Sequence, residues 1–178
     1  GNALYVGETL TPRIRIVDGE GDVIREITWE PNQVSPDDAL REVIGLAVQD
    51  APPDDERRVR ARLQAAPLPD RVPAFSIFLV DDLGFVWVKP YEVERHAAAL
   101  GGLAPERMAG GMWRIFTPGG EQVGTVEVPD GLEPHQVTHD AIIGIRRDEL
   151  GVEYVQVHRL HRWGTTGQSG QPEGSTSQ

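Results

Sequence analysis

Apolar and polar residues alternate along most of this chain, and the alternation comes in sets. Period-two patterning predicts strands at 3–7, 13–18 and 22–28, then at 75–80, 85–90, 112–117 and 122–128, then at 135–138, 141–147 and 152–160. Glycine-bearing turns punctuate the sets, as in Asp18-Gly-Glu-Gly21 and Asp81-Asp-Leu-Gly84. Between the first and second sets the period changes. Ser35 offers an N-cap, Pro36 suits the first helical position, and Asp37 and Asp38 complement the helix dipole. Leu40, Val43, Ile44, Ala47 and Val48 then share one helical face. A second helix is predicted over 54–66, with Val59 and Leu63 on a narrow apolar side and Arg57, Arg58, Arg60 and Arg62 matched to preceding acids. Residues 35–66 therefore read as a helical insertion outside the sheet core. A short helix is predicted over 92–100. From residue 164 onward no apolar residue occurs, which predicts a disordered tail over 164–178.

One hairpin recurs. Arg13–Ile27 returns as Met112–Val126, aligning Ile14 with Trp113, Ile16 with Ile115, Gly21 with Gly120 and Ile27 with Val126. Repetition of a hairpin points to an architecture built by repetition, and four-stranded antiparallel blades set radially make a propeller. The second set supplies four strands. The first lacks an innermost strand and the third an outermost one. The expected fold is all-β: a partial β-propeller of about three blades over residues 1–163, two of them incomplete.

Three stretches carry a family resemblance: 69–89, 113–129 and Ile142-Ile-Gly-Ile-Arg-Arg-Asp-Glu-Leu-Gly-Val-Glu-Tyr-Val-Gln-Val-His-Arg-Leu160. They resemble the C-terminal half of uncharacterised bacterial six-bladed β-propeller proteins related to NHL-repeat and gluconolactonase-like propellers. The resemblance implies a fold and a helical insertion between blades. It implies no catalytic residues. A six-bladed ring needs roughly twice as many strands. The chain is then a fragment lacking its N-terminal blades, one of two copies that close a ring, or a remnant with covered edges. The uncovered inter-blade faces are expected to carry apolar residues such as Ile14, Ile16, Val155 and Val157.

Composition narrows the chemistry. There is no cysteine, which removes disulfides, thiolate metal sites and thiol nucleophiles. The net charge of −11 opposes binding to nucleic acid and to anionic membranes. No apolar run approaches the length of a membrane span. Because the first residues already read as strand, the native N-terminus is expected upstream, which leaves a periplasmic or secreted location open.

Candidate site residues are few. His135, His139 and Asp140 form the densest cluster of ligating side chains. Histidines four apart on a strand sit about 13 Å apart, too far to share one ion, although both could face a central channel. Glu92 with His96 reads as a surface pair, and Arg146-Arg-Asp-Glu149 as a charged hairpin end. Only two asparagines occur, Asn2 and Asn32, which argues against a lactonase-type metal site. Ser76 lacks the context of a nucleophile elbow, and no glycine pattern frames a phosphate. No cofactor is expected. The reading is a non-catalytic propeller scaffold or binding module. The alternatives are a metal-dependent, lactonase-like hydrolase and an assembly subunit that completes a larger ring.

Overall fold

A computed structural model describes residues 3–31, 34–49, 52–65, 70–93, 95 and 109–162. The chain runs β1 (Leu4–Gly7), β2 (Arg13–Val17), β3 (Val23–Thr28), α1 (Pro36–Val48), α2 (Pro53–Gln64), β4 (Phe75–Val80), β5 (Val86–Pro90), β6 (Gly111–Phe116), β7 (Gln122–Val128), β8 (Leu132–Val137), β9 (Ala141–Arg147) and β10 (Glu153–Arg159). The strands form three antiparallel meanders: β1-β2-β3, β4-β5-β6-β7 and β8-β9-β10. The fold is all-β with a helical insertion, arranged as a propeller-like arc of three stacked sheets. The predicted tail, Trp163 and most of the predicted helix over 92–100 lie outside the described residues.

The stacking follows from strand parity. Successive side chains on a strand point to opposite faces, and the middle sheet is apolar on both. Phe75, Val86, Val88 and Phe116 point one way and meet Ile14, Ile16 and Ile27 of the first sheet. Trp87, Trp113 and Val128 point the other way and meet Leu132, Val137 and Ile142 of the third. Every position of β5 is therefore buried. Trp87 and Trp113, at 1% and 2% exposure, fill the second layer. Trp29 closes the first, its ring centroid 5.6 Å from Phe75 and 5.5 Å from Phe116. Arg114 ties the same two sheets together, its Nη1 donating to the Glu30 carbonyl over 3.1 Å.

Parity corrects one expectation. Ile14 and Ile16 are not on an uncovered face. They are buried against the middle sheet, as are their repeat partners Trp113 and, in part, Ile115 against the third. The open face of the first sheet carries Leu4 and Val6, paired with Val17 and Arg15. Val155 and Val157 are exposed as expected, at 75% and 66%.

One turn recurs four times. Asp18, Asp81, Thr117 and Asp148 each use a side-chain oxygen to accept backbone N–H groups two and four residues on. Each also closes with a bond from the glycine three residues later. Those glycines, Gly21, Gly84, Gly120 and Gly151, all have φ between 77° and 95°, a conformation that costs other residues about 1–2 kcal/mol. Asx- and ST-type turns explain why Asp or Thr leads each hairpin.

Strand β8 starts at Leu132, three residues before the prediction. The added residues include Pro134, and β8 pairs only with β9. The missing N–H is tolerated on such an edge strand. The register shifts between Pro134 and Gln136, which makes His135 the bulged residue. Gly144 is required opposite: a Cβ there would sit 2.4 Å from the Glu133 carbonyl oxygen.

The helices form as the capping signals predict. Ser35 accepts from the Asp38 N–H, with Pro36 in the first turn. α2 begins one residue earlier than predicted because Pro53 takes the first turn, where its missing N–H costs nothing. α1 packs on α2. Its one buried side chain, Ile44, belongs to neither sheet cluster. Neither helix contributes a side chain to either sheet cluster.

Candidate functional site at the rim of the second layer

The rim is built on the Asp81 turn. The side chain of Asp81 has no exposed surface. Its Oδ1 accepts from the N–H groups of Leu83 (3.0 Å) and Phe85 (2.8 Å), and its Oδ2 from Trp87 Nε1 (3.0 Å). Arg162, following β10, completes the set. Its Nη2 donates to Asp81 Oδ2 over 2.5 Å and to the Thr138 carbonyl over 3.0 Å, and its Nε donates to the His139 carbonyl over 3.0 Å. The guanidinium also lies 5.2 Å from the Phe85 ring centroid and 5.9 Å from that of Trp87, within cation–π range. A buried carboxylate thus has four donors, one of them cationic, as a buried charge requires.

This clamp positions the exposed groups. His139 sits in the bend after β8 and Asp82 in the β4–β5 turn, so two different sheets contribute. His139 Nδ1 lies 3.1 Å from Asp82 Oδ2, and His139 Nε2 lies 3.8 Å from Asp140 Oδ1. Desolvation pushes the Asp82 pKa upward, but hydrogen bonds and charge from His139, with the charge of Arg162, outweigh it and hold the carboxyl below its usual value. Thr138 Oγ1 is engaged in its own turn, donating to Asp140 Oδ1 and accepting from the Ala141 N–H, each over 3.0 Å.

Of the three residues singled out by sequence, His139 and Asp140 come together. His135 stands apart at the bulge, its Nε2 3.8 Å from Glu133 Oε1. Among the described residues no group of three His, Cys, Asp or Glu side chains is arranged to hold a metal ion. Sequence reasoning missed Asp81, Asp82 and Arg162. A signal for the first existed: Asp81-Asp-Leu-Gly84 matches Asp148-Glu-Leu-Gly151, and each aspartate is followed six residues on by an aromatic residue that bonds to it.

A second polar cluster lies along β5. Lys89 is only 6% exposed. Burial lowers its pKa and Arg95 lowers it further, while Glu92, Glu133 and Asp130 partly offset this. Arg95 bridges Glu92 (2.5 Å) and Asp130 (3.0 Å) and donates to the Ala109 carbonyl over 3.1 Å. Ser76 Oγ donates to the Lys89 carbonyl over 3.3 Å, a bond from strand to strand rather than a nucleophile's setting. No described helix is long and apolar enough to cross a membrane.

Comparison of the chain with protein-family models, with curated proteins and with solved structures returns no match.

Proposed function

We propose that this chain is an arc of an NHL- or gluconolactonase-like β-propeller and works as a non-catalytic binding scaffold. The observation that carries the reading is the sense of the stack. The repeated hairpin presents Ile14, Ile16 and Ile27 to the second sheet, and its second copy presents Trp113, Ile115 and Val126 to the third. Equivalent faces meet the next sheet in the same direction, which is how blades succeed one another in a propeller. The polar rim supports a scaffold over an enzyme, because Asp81 and Arg162 are committed to holding two sheets together and Thr138 to its own turn and to Arg162. The exposed groups left to meet a ligand are Asp82, His139 and Asp140, with His135 along the same edge strand. Their acidic setting and the net charge of −11 favour a neutral or cationic partner over a polyanion.

Metal analysis of the purified protein tests this against the hydrolase alternative. The expected result is less than stoichiometric divalent metal, unchanged by His139→Ala. Stoichiometric metal that His139→Ala removes would overturn the scaffold reading.

A further inference from the structure

The two outermost faces of the stack are complementary to one another. On the first sheet, Leu4 and Val6 surround a charged triad in which Arg13 and Arg15 share Glu26, at 3.5 and 2.9 Å. On the third sheet, Ile143, Ile145, Val155 and Val157 surround the inverse triad. There Glu133 and Glu153 share Arg147, at 3.2 and 2.6 Å. One triad holds two cations and one anion, the other two anions and one cation. The two triads share one strand position, the remaining members being Glu26 on β3, Glu133 on β8 and Arg147 on β9. Arg13 and Arg15 lie on β2, the repeat equivalent of β6, the third strand of the middle sheet. Glu153 opens β10, the third strand of its own sheet.

The direction of stacking adds a constraint. Each sheet meets the next with one type of face and the preceding sheet with the other. The third sheet's open face is of the first type and the first sheet's open face of the second. The two cannot meet within one chain, because the middle sheet lies between them.

We propose that they meet between chains. The open face of the third sheet of one copy docks on the open face of the first sheet of another. Two such junctions related by a two-fold axis close a ring of six sheets from two chains. The proposal rests on the propeller reading and names the partner as a second copy. Docking extends the sheet-on-sheet packing already present at two junctions, sets apolar stripe on apolar stripe, and gives each unmatched charge an opposite one. Solvent-exposed ion pairs add little, but such pairs select the partner and the register.

The lack of cysteine gives a clean test. Val6→Cys and Ile145→Cys place single thiols on the two faces. A bis-maleimide spanning the ~10 Å between packed sheets should link the two variants when they are mixed and neither variant to itself. Light scattering at micromolar concentration should show a dimer. Arg13→Glu with Arg15→Glu should weaken it at least tenfold, and mixing with a Glu133→Lys, Glu153→Lys chain should restore it. A folded monomer, or cross-linking of either cysteine variant to itself, would overturn the proposal. Either result leaves the metal measurement, and with it the scaffold reading, where it stands.

Discussion

The turns Asp81-Asp-Leu-Gly84 and Asp148-Glu-Leu-Gly151 are built alike and live differently. Both aspartates accept the same two backbone N–H groups, both glycines have positive φ, and both carboxylates bond to the aromatic residue six places on, Trp87 or Tyr154. The Asp81 turn is roofed by the end of the third sheet. Arg162 reaches down to its carboxylate, and the indole of Trp87 is buried. Among the described residues no sheet lies above the Asp148 turn, and Leu150 is 89% exposed. Local sequence makes the turn in both places. Only a neighbouring sheet converts the turn into a tertiary clamp.

The largest separation between the two should come from alanine. Asp81→Ala removes the acceptor shared by Arg162, the Trp87 N–H and two backbone N–H groups, the indole buried and the other three donors half-buried. Breaking a buried ion pair from one side costs about 3–5 kcal/mol, so urea denaturation should show a much lower midpoint or no folded protein. Asp148→Ala removes the same local bonds where water can replace them, and its midpoint should move several-fold less. Equal losses would mean that the clamp adds nothing to the turn.

A smaller contrast lies in the aromatic residues. Trp87→Phe deletes one hydrogen bond to a buried carboxylate and should cost about 1.5–3 kcal/mol for that bond, plus the volume lost. Tyr154→Phe deletes the matching bond in an exposed setting, and thermal melting should barely respond. Trp113 sharpens the comparison further. Its indole N–H is buried with no hydrogen-bond partner among the described residues. Trp113→Phe should therefore be milder than Trp87→Phe despite equal burial.

The smallest effect is in acid. Bonds from the Val152 N–H first, then from Tyr154 and Leu150, outweigh desolvation and hold Asp148 below 3.8. A carboxyl whose pKa falls on folding stabilises the fold at pH above the unfolded value, and that contribution is lost as pH falls through the folded one. Asp148→Asn should leave stability at neutral pH little changed by this route and flatten the acid limb of the stability curve below about pH 4. An unchanged acid limb would show that the turn does not hold the ionised form.

Much of the fold was legible because it is local. The ten strands, the glycine turns, Ser35-Pro36 and the departure of the helices from the sheet core all follow from spacing and turn chemistry over a few residues. The face assignment was not legible. Whether Ile14 or Val6 points inward depends on which sheet lies on which side, and parity alone leaves that choice open. The rim was half legible. His139 and Asp140 are neighbours in sequence. Asp82 joins them from a residue 57 positions away, and Arg162 closes on Asp81 across 81. Nothing in the local pattern of either segment announces those meetings.

The helical insertion sets an order of assembly. Residues 129–131 alone join the second sheet to the third, whereas residues 29–74 separate the first sheet from the second. Chain closure grows with the logarithm of loop length, and the longer connection costs about 2 kcal/mol more to close. The layer holding Trp87, Trp113 and the Asp81 clamp should therefore be the early event, and the layer holding Phe75 and Trp29 the late one. Formation of the α1–α2 hairpin shortens the path between the two sheets, so helices that add nothing to the sheet core can still speed its completion. Truncating them would then show first in the refolding rate and only afterwards in the equilibrium.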